Sequence, residues 1–119
     1  LQADALLLLC PNYNDALSAH ITAFINRLTA LLIHNNLENK YLYAIIVSGY
    51  SGGDLVAQQV LGALSLNKSF MLPPRFCMWE TANSPGEALQ IPGVQDRVRA
   101  FGQNIVSAIL SPGPEGPAQ

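Results

Sequence analysis

The sequence predicts an α/β fold: an open parallel sheet with helices on both faces. Three observations carry this reading. Apolar runs alternate along the chain with stretches of helical period, giving strand, helix, strand, helix, strand, helix. The first two runs, Ala5-Leu6-Leu7-Leu8-Leu9-Cys10 and Tyr41 to Ser48, are continuously apolar, as expected for strands covered on both sides. The links between elements are short, which favours right-handed crossovers and parallel strands.

The Ala5–Cys10 run is closed by Pro11 and the polar cluster Asn12-Tyr13-Asn14-Asp15. Leu17, Ile21, Phe24, Ile25, Leu28, Leu31 and Leu32 then recur at helical spacing, predicting an amphipathic helix over about 16–34. Asn14 or Asp15 can cap its amino end, and Asn35-Asn36 suit its carboxyl end. The Tyr41–Ser48 strand runs directly into Gly49-Tyr50-Ser51-Gly52-Gly53. Asp54 then caps a helix with apolar positions Leu55, Val56, Val60, Leu61 and Leu64. Phe70-Met71-Leu72 reads as a short third strand, halted by Pro73-Pro74. Residues 75–93 show no clear period and hold the turn formers Asn83, Pro85 and Gly86. A last helix begins near Pro92 and is expected to bury Val94, Val98, Phe101, Ile105, Val106 and Ile109. The domain is expected to occupy 1–110, with a disordered Pro/Gly-rich tail at 111–119. No internal repeat is present.

Composition narrows the function. A chain of 119 residues suits one domain. Six Lys+Arg against eight Asp+Glu give a net charge of −2, which excludes a nucleic-acid binder working through a basic groove. Half the residues are hydrophobic and 12% are charged, which argues against disorder and points to a globular chain with much apolar surface to cover. The Ala5–Cys10 run is far shorter than the ~20 residues of a membrane span, and no signal-peptide pattern appears. Cys10 and Cys77 make no disulfide framework; they read as small buried hydrophobes in a reducing, cytoplasmic setting. His20 and His34 lack metal-ligand spacing.

The functional signal is a convergence. The loops Pro11–Ser18 and Ser48–Asp54 both follow strands, so both open onto the sheet edge where such folds bind ligands. Glycines and serines in the second loop let the backbone approach a ligand and point N–H groups at it. The loop is neither a Walker A motif nor a dinucleotide fingerprint, and a flexible strand-to-helix turn is the simpler alternative. Tyr13 offers a flat face with a polar tip, or else covers the helix start. For His20 a solvent-facing or capping role outweighs a catalytic one. Arg75 and Glu80 read as a solvated pair, the alternative being contact with a charged ligand. No nucleophile–base–orienter set can be assembled, and Ser48 and Ser51 lack the Gly-x-Ser-x-Gly elbow. No catalytic residue is assigned; an enzyme of this sequence would rely on a bound cofactor.

The stretch Cys10-Pro11-Asn12-Tyr13-Asn14, between a strand and a helix, resembles the loop after the third strand of the NADPH-dependent FMN reductase family of flavodoxin-like proteins. That family writes Pro-x-Tyr-Asn, then a Gly/Ser-rich turn and an amphipathic helix. Pro11, Tyr13 and Asn14 match; Asp15, Ala16, Ser18 and Ala19 stand where the family often has Gly, Ser, Pro and Gly. Ser48–Gly53 is similar to the family's Gly-rich loop after the fourth strand, and Phe101-Gly102-Gln103 also looks family-like. The resemblance spans residues 3 to about 110. It implies a flavodoxin-like sheet with FMN lying across these loops. Pro11, Asn12, Tyr13 and Asn14 would border the isoalloxazine ring, with Tyr13 as its stacking or edge contact. Ser48, Gly49, Tyr50, Ser51, Gly52 and Gly53 would flank the other side. It implies an NAD(P)H-dependent reductase, with NADPH or NADH delivering hydride to FMN and electrons passing to a small-molecule acceptor such as a quinone or free flavin.

Family members open with a strand and a Ser/Arg-rich loop that cradles the FMN phosphate, and this sequence reads as starting at the third strand, two strand–helix units later. In the strand order 2-1-3-4-5, Ala5–Cys10 would then lack a neighbour, leaving an apolar edge that invites pairing. The expectation is a homo-oligomer, or pairing of this strand with another chain, and weak FMN binding by the chain alone. The alternative is a non-catalytic flavodoxin-like module for electron transfer or assembly, which Asp15 favours because a carboxylate beside the ring would repel an anionic reduced flavin. A receiver-like domain would need clustered acidic residues and a conjugate Lys, and neither appears.

Overall fold

The computed structural model describes residues 3–12, 16–32, 40–50, 53–66 and 70–110. Three strands, β1 (Ala5–Pro11), β2 (Tyr41–Ser48) and β3 (Cys77–Thr81), form a parallel sheet in the order β1-β2-β3. Helix α1 (Ala19–Leu32) follows β1. Helix α2 (Gly53–Val60) follows β2 and runs on into a π-helical segment, Leu61–Leu66. A short 3₁₀ turn, Glu87–Gln90, precedes the final helix α3 (Val94–Leu110). The predicted open parallel sheet with flanking helices is thus the observed one.

Strand β3 is not where the sequence placed it. Met71 makes only an isolated parallel bridge to Tyr41, through Leu42 N–H to Met71 C=O at 2.9 Å and Met71 N–H to Lys40 C=O at 2.8 Å. Pro73, Pro74 and the left-handed Arg75 (φ 56°) then turn the chain before it rejoins β2, where Ala44 N–H donates to Phe76 C=O at 2.8 Å. The ladder proper pairs Ala44 with Cys77 and Ser48 with Thr81. A five-residue strand with a carboxylate inside it carries no local pattern that marks it as buried.

Side-chain alternation divides the core in two. On one face Leu8 and Cys10 of β1 join Leu42, Ala44 and Ile46 of β2 beneath Ile25 and Leu28 of α1, Val56, Ala57 and Val60 of α2, and Leu64 of the π-helical segment. On the other, Tyr43 and Met78 pack against Val94 and Phe101 of α3. The Tyr43 and Phe101 rings meet edge to face, 5.8 Å apart at 88°. This second face is only partly covered: Leu7 and Leu9 of β1 remain 43% and 63% exposed. The expectation that β1 is covered on both sides therefore holds for one side only. On α3, Val98 and Val106 are exposed rather than buried, because a single stripe, Val94 and Phe101 with Ile105 and Ala108, faces the sheet.

Two local expectations also change. Helix α1 starts at Ala19, and Ser18 caps it: its Oγ accepts from Ile21 N–H at 3.3 Å and its carbonyl from Thr22 N–H at 2.9 Å. Asn14, Asp15, Asn35, Asn36 and the tail 111–119 lie outside the described residues. Glu80 pairs with Arg97 of α3 and not with Arg75. Nε and Nη2 of Arg97 donate to its two oxygens at 2.8 Å each, while Nη1 donates to Pro92 C=O at 2.9 Å. That fork pins α3 to β3 across the second face.

Candidate functional site

The carboxyl ends of the three strands meet at one edge, tied together by hydrogen bonds. As β1 ends at Pro11, Asn12 N–H donates to Val47 C=O at 2.9 Å and Asn12 Nδ2 to Ser48 Oγ at 3.1 Å. Ser48, buried at the end of β2, accepts at its carbonyl from Ala82 N–H just past β3 (2.9 Å). Leu17 N–H donates to Gln59 Oε1 at 2.7 Å, joining the segment after β1 to α2. The predicted convergence of the two loops is therefore present, and β3 contributes a third wall.

At Gly49 the absence of a side chain lets these segments come close, whereas Gly53 stands at ordinary contact distance from its neighbours. A Cβ on Gly49 would sit 2.7 Å from Asn83 Oδ1, and one on Gly53 would lie 3.5 Å from Ser48 Oγ and 3.6 Å from the Trp79 ring. Asn83 is held from the other side, since Glu87 Oε1 accepts from the N–H groups of Asn83 (2.9 Å) and Ser84 (2.8 Å). The Ser84 and Asn83 amides hold the Glu87 carboxyl below its ordinary range.

Between these walls lies a cleft of about 390 Å³ lined by Ser48, Tyr50, Gly53, Asp54, Trp79, Glu80 and Thr81. Of the residues expected to flank a flavin, Pro11, Asn12, Ser48, Gly49, Tyr50 and Gly53 come to this edge. Tyr13, Asn14, Ser51 and Gly52 lie outside the described residues. Sequence reasoning missed Trp79 and Thr81. Reading 77–81 as a strand would have found them, because the register puts both on the face of Ile46 and Ser48.

Burial pushes the Cys10 thiol up to about 11, and chiefly burial does the same for Cys77, so both are protonated near neutrality. His20 is exposed on the first turn of α1. Among the described residues no group of three or more His, Cys, Asp or Glu side chains is placed to hold a metal ion, and no helix is long and apolar enough to cross a membrane. The arrangement suits a planar ring: close backbone, two exposed aromatic side chains and a few polar tips. It suits a phosphate poorly, because none of the cleft's lining residues is cationic.

A parallel sheet whose strand-to-helix loops gather at its carboxyl edge defines an open-sheet α/β protein of flavodoxin-like architecture. The family model described as NADPH-dependent FMN reductase matches residues 1–84, a stretch that holds both loops, and the chain belongs to that family. Among solved structures it is similar to the Trp repressor binding protein from Bacillus subtilis, with a TM-score of 0.59, 21% identity and coverage of 92% of this chain. The chain spans 65% of that structure's length, and at this identity the likeness is one of fold. No curated protein matches the chain.

Proposed function

We propose that the chain belongs to an FMN-dependent NAD(P)H oxidoreductase of the flavin or quinone reductase type. The Asn12–Ser48 hydrogen bond carries this reading, because it fixes the two family loops against one another at the edge where a ring would lie. Pro11, Asn12, Tyr13 and Asn14 would border the isoalloxazine on one side, and Ser48, Gly49, Tyr50, Ser51, Gly52 and Gly53 on the other. FMN, when bound, would supply acceptance of hydride from NADPH or NADH and onward transfer to a small-molecule acceptor. The chain's own part is placement. Asn12 and Ser48 hold the loop spacing, Gly49 and Gly53 keep backbone close to the ring, and Tyr50 offers an aromatic surface beside it.

The site is tested by titrating the chain with FMN and with riboflavin, following quenching of flavin fluorescence. Saturable binding of both with similar affinity is expected, since no cleft residue answers to the phosphate; failure of both to bind would overturn the assignment. NADPH oxidation with a quinone acceptor then tests turnover. The carboxylate of Asp54 in the lining favours one second reading, a non-catalytic flavodoxin-like module, in which ring binding survives and NADPH turnover does not.

The exposed Leu7 and Leu9 support a homo-oligomer or pairing of β1 with another chain, and the two free cysteines agree with a reducing cytoplasmic location. Sedimentation at rising concentration tests the first proposal and fractionation of the native host the second.

A further inference from the structure

Asn83 is fixed in its backbone at the ligand edge and unengaged in its side chain. It stands two residues past β3, where Thr81 pairs with Ser48 and Ala82 N–H donates to Ser48 C=O at 2.9 Å. From the other side, Glu87 Oε1 accepts from the N–H groups of Asn83 (2.9 Å) and Ser84 (2.8 Å). Glu87 N–H donates back to Ser84 C=O at 3.0 Å, and Gly86 supplies the left-handed step (φ 80°) that lets the chain double back. A backbone held in this way needs little further ordering when a ligand arrives.

The side chain is treated differently. It is exposed, and its carboxamide makes no hydrogen bond among the described residues. Its Oδ1 lies over Gly49, 2.7 Å from where a Cβ would stand, in a space that exists because residue 49 has no side chain. Asn12, across the same edge, is the contrast: its Nδ2 is engaged by Ser48 Oγ at 3.1 Å, so it braces the loops. Asn83 has its polar group free beside the first glycine of the loop after β2.

A carboxamide presents one donor and one acceptor side by side in a plane. Its complement is a ring edge that carries an N–H next to a C=O. The pyrimidine half of a flavin has that edge, an imide N–H between two carbonyls, and the benzenoid half has no such group.

We propose that Asn83 is a ligand-contacting residue of the site, its Oδ1 accepting from the imide N–H of the bound ring and its Nδ2 donating to the adjacent ring carbonyl. The assignment brings in the loop after β3, beyond the two loops already proposed, and it gives the ring a direction, with the imide edge toward Gly49 and Asn83. It rests on the flavin reading for the identity of the ring. The contact with Gly49, the unengaged carboxamide and the anchored backbone single out the residue.

The full chain is titrated with riboflavin and with its N3-methyl derivative, in which a methyl group replaces the imide hydrogen, following flavin fluorescence. Riboflavin is expected to bind about tenfold more tightly, the loss that follows when one partner of a hydrogen bond is blocked and the other is left unpaired. Asn83→Leu keeps the branched shape and removes both hydrogen-bonding groups. It should weaken riboflavin about tenfold, leave the methylated ring unchanged and so abolish the gap. In the native chain the side-chain NH₂ resonances of Asn83 should shift saturably with riboflavin. An amide spectrum that stays native away from Gly49 and the Ala82–Ser84 stretch shows that the variant is folded. A gap that survives in Asn83→Leu would overturn the proposal, because another group would then read the imide. Equal binding of the two rings by the native chain would also overturn it, and would leave the flavin reading standing. Binding of neither ring overturns the flavin reading and this inference with it, so the two failures are told apart.

Discussion

The two faces of the sheet are finished to different degrees. Beneath α1 and α2, Leu42, Ala44, Ile46, Val56, Val60 and Leu64 are wholly removed from solvent. Beneath α3 the cover reaches β2, β3 and Ala5 at the start of β1 but stops short of Leu7 and Leu9, which stand open. The comparison separates two roles. The first face holds the fold together, and the second leaves room for a further element beside α3. The ligand edge depends on the first face, because α2 is what carries Gly53 and Asp54 to the strand ends.

The sharpest way to break this comparison is to truncate one leucine on each face of the sheet. Leu42→Ala on the central strand should cost about 2–5 kcal/mol, the range for a sealed core position, read as a lower denaturant midpoint at unchanged slope. Leu9→Ala should cost no more than about 0.5 kcal/mol if that surface stays open. A cost for Leu9→Ala comparable to that of Leu42→Ala, together with slower sedimentation of the variant, would show that an oligomer covers the second face in solution.

Thiol chemistry sharpens the contrast next. Cys10 and Cys77 belong with the first-face core, and burial raises both to about 11. A raised thiol pKa stabilises the folded chain below the unfolded value, and that contribution is lost as pH climbs through about 11. Native chain should therefore resist iodoacetamide at neutral pH and take up two labels once unfolded in urea, as counted by mass. Rapid labelling of Cys10 in the native state would mean that the first face opens more readily than its packing implies.

Most of this architecture was legible locally. β1, β2 and all three helices announce themselves by apolar runs and periodicity, and the meeting of the Pro11 and Ser48 loops follows from strand direction alone. What escaped depends on partners distant in sequence. β3 was hidden because Glu80 is buried only by virtue of Arg97, which lies a helix start away, and no window across 77–81 contains that guanidinium. Trp79 was lost with the strand that positions it. The exposure of Leu7 and Leu9 was illegible for the opposite reason, since a continuous apolar run looks the same whether one of its faces is covered or both.

At the site, Gly49 gives a smaller test. Its missing Cβ leaves room for Asn83 Oδ1, the end of an exposed side chain that can swing aside. Gly49→Ala should cost about 1 kcal/mol or less, and Asn83→Ala in the same chain should recover most of that cost in a double-mutant cycle. An uncorrected loss would place the strain in the backbone of the loop instead.

The smallest expected effect is a dependence on pH. Glu87 accepts from the Ser84 and Asn83 amides, which lower its folded pKa. A depressed carboxylate contributes stability that is present above the unfolded value and lost as pH falls through the folded one. Acidification through the carboxylate range should therefore loosen the loop that carries Asn83 over Gly49 before the core is affected. The amide resonances of Asn83 and Ser84 should follow that titration, while those of Ala44 and Ile46 stay still. Glu87→Gln, which keeps an acceptor oxygen and removes the charge, should abolish the pH response at Asn83 and leave the first face unchanged. If the core amides moved together with the loop, the two regions would be one cooperative unit and the ligand edge could not adjust independently of the sheet that carries it.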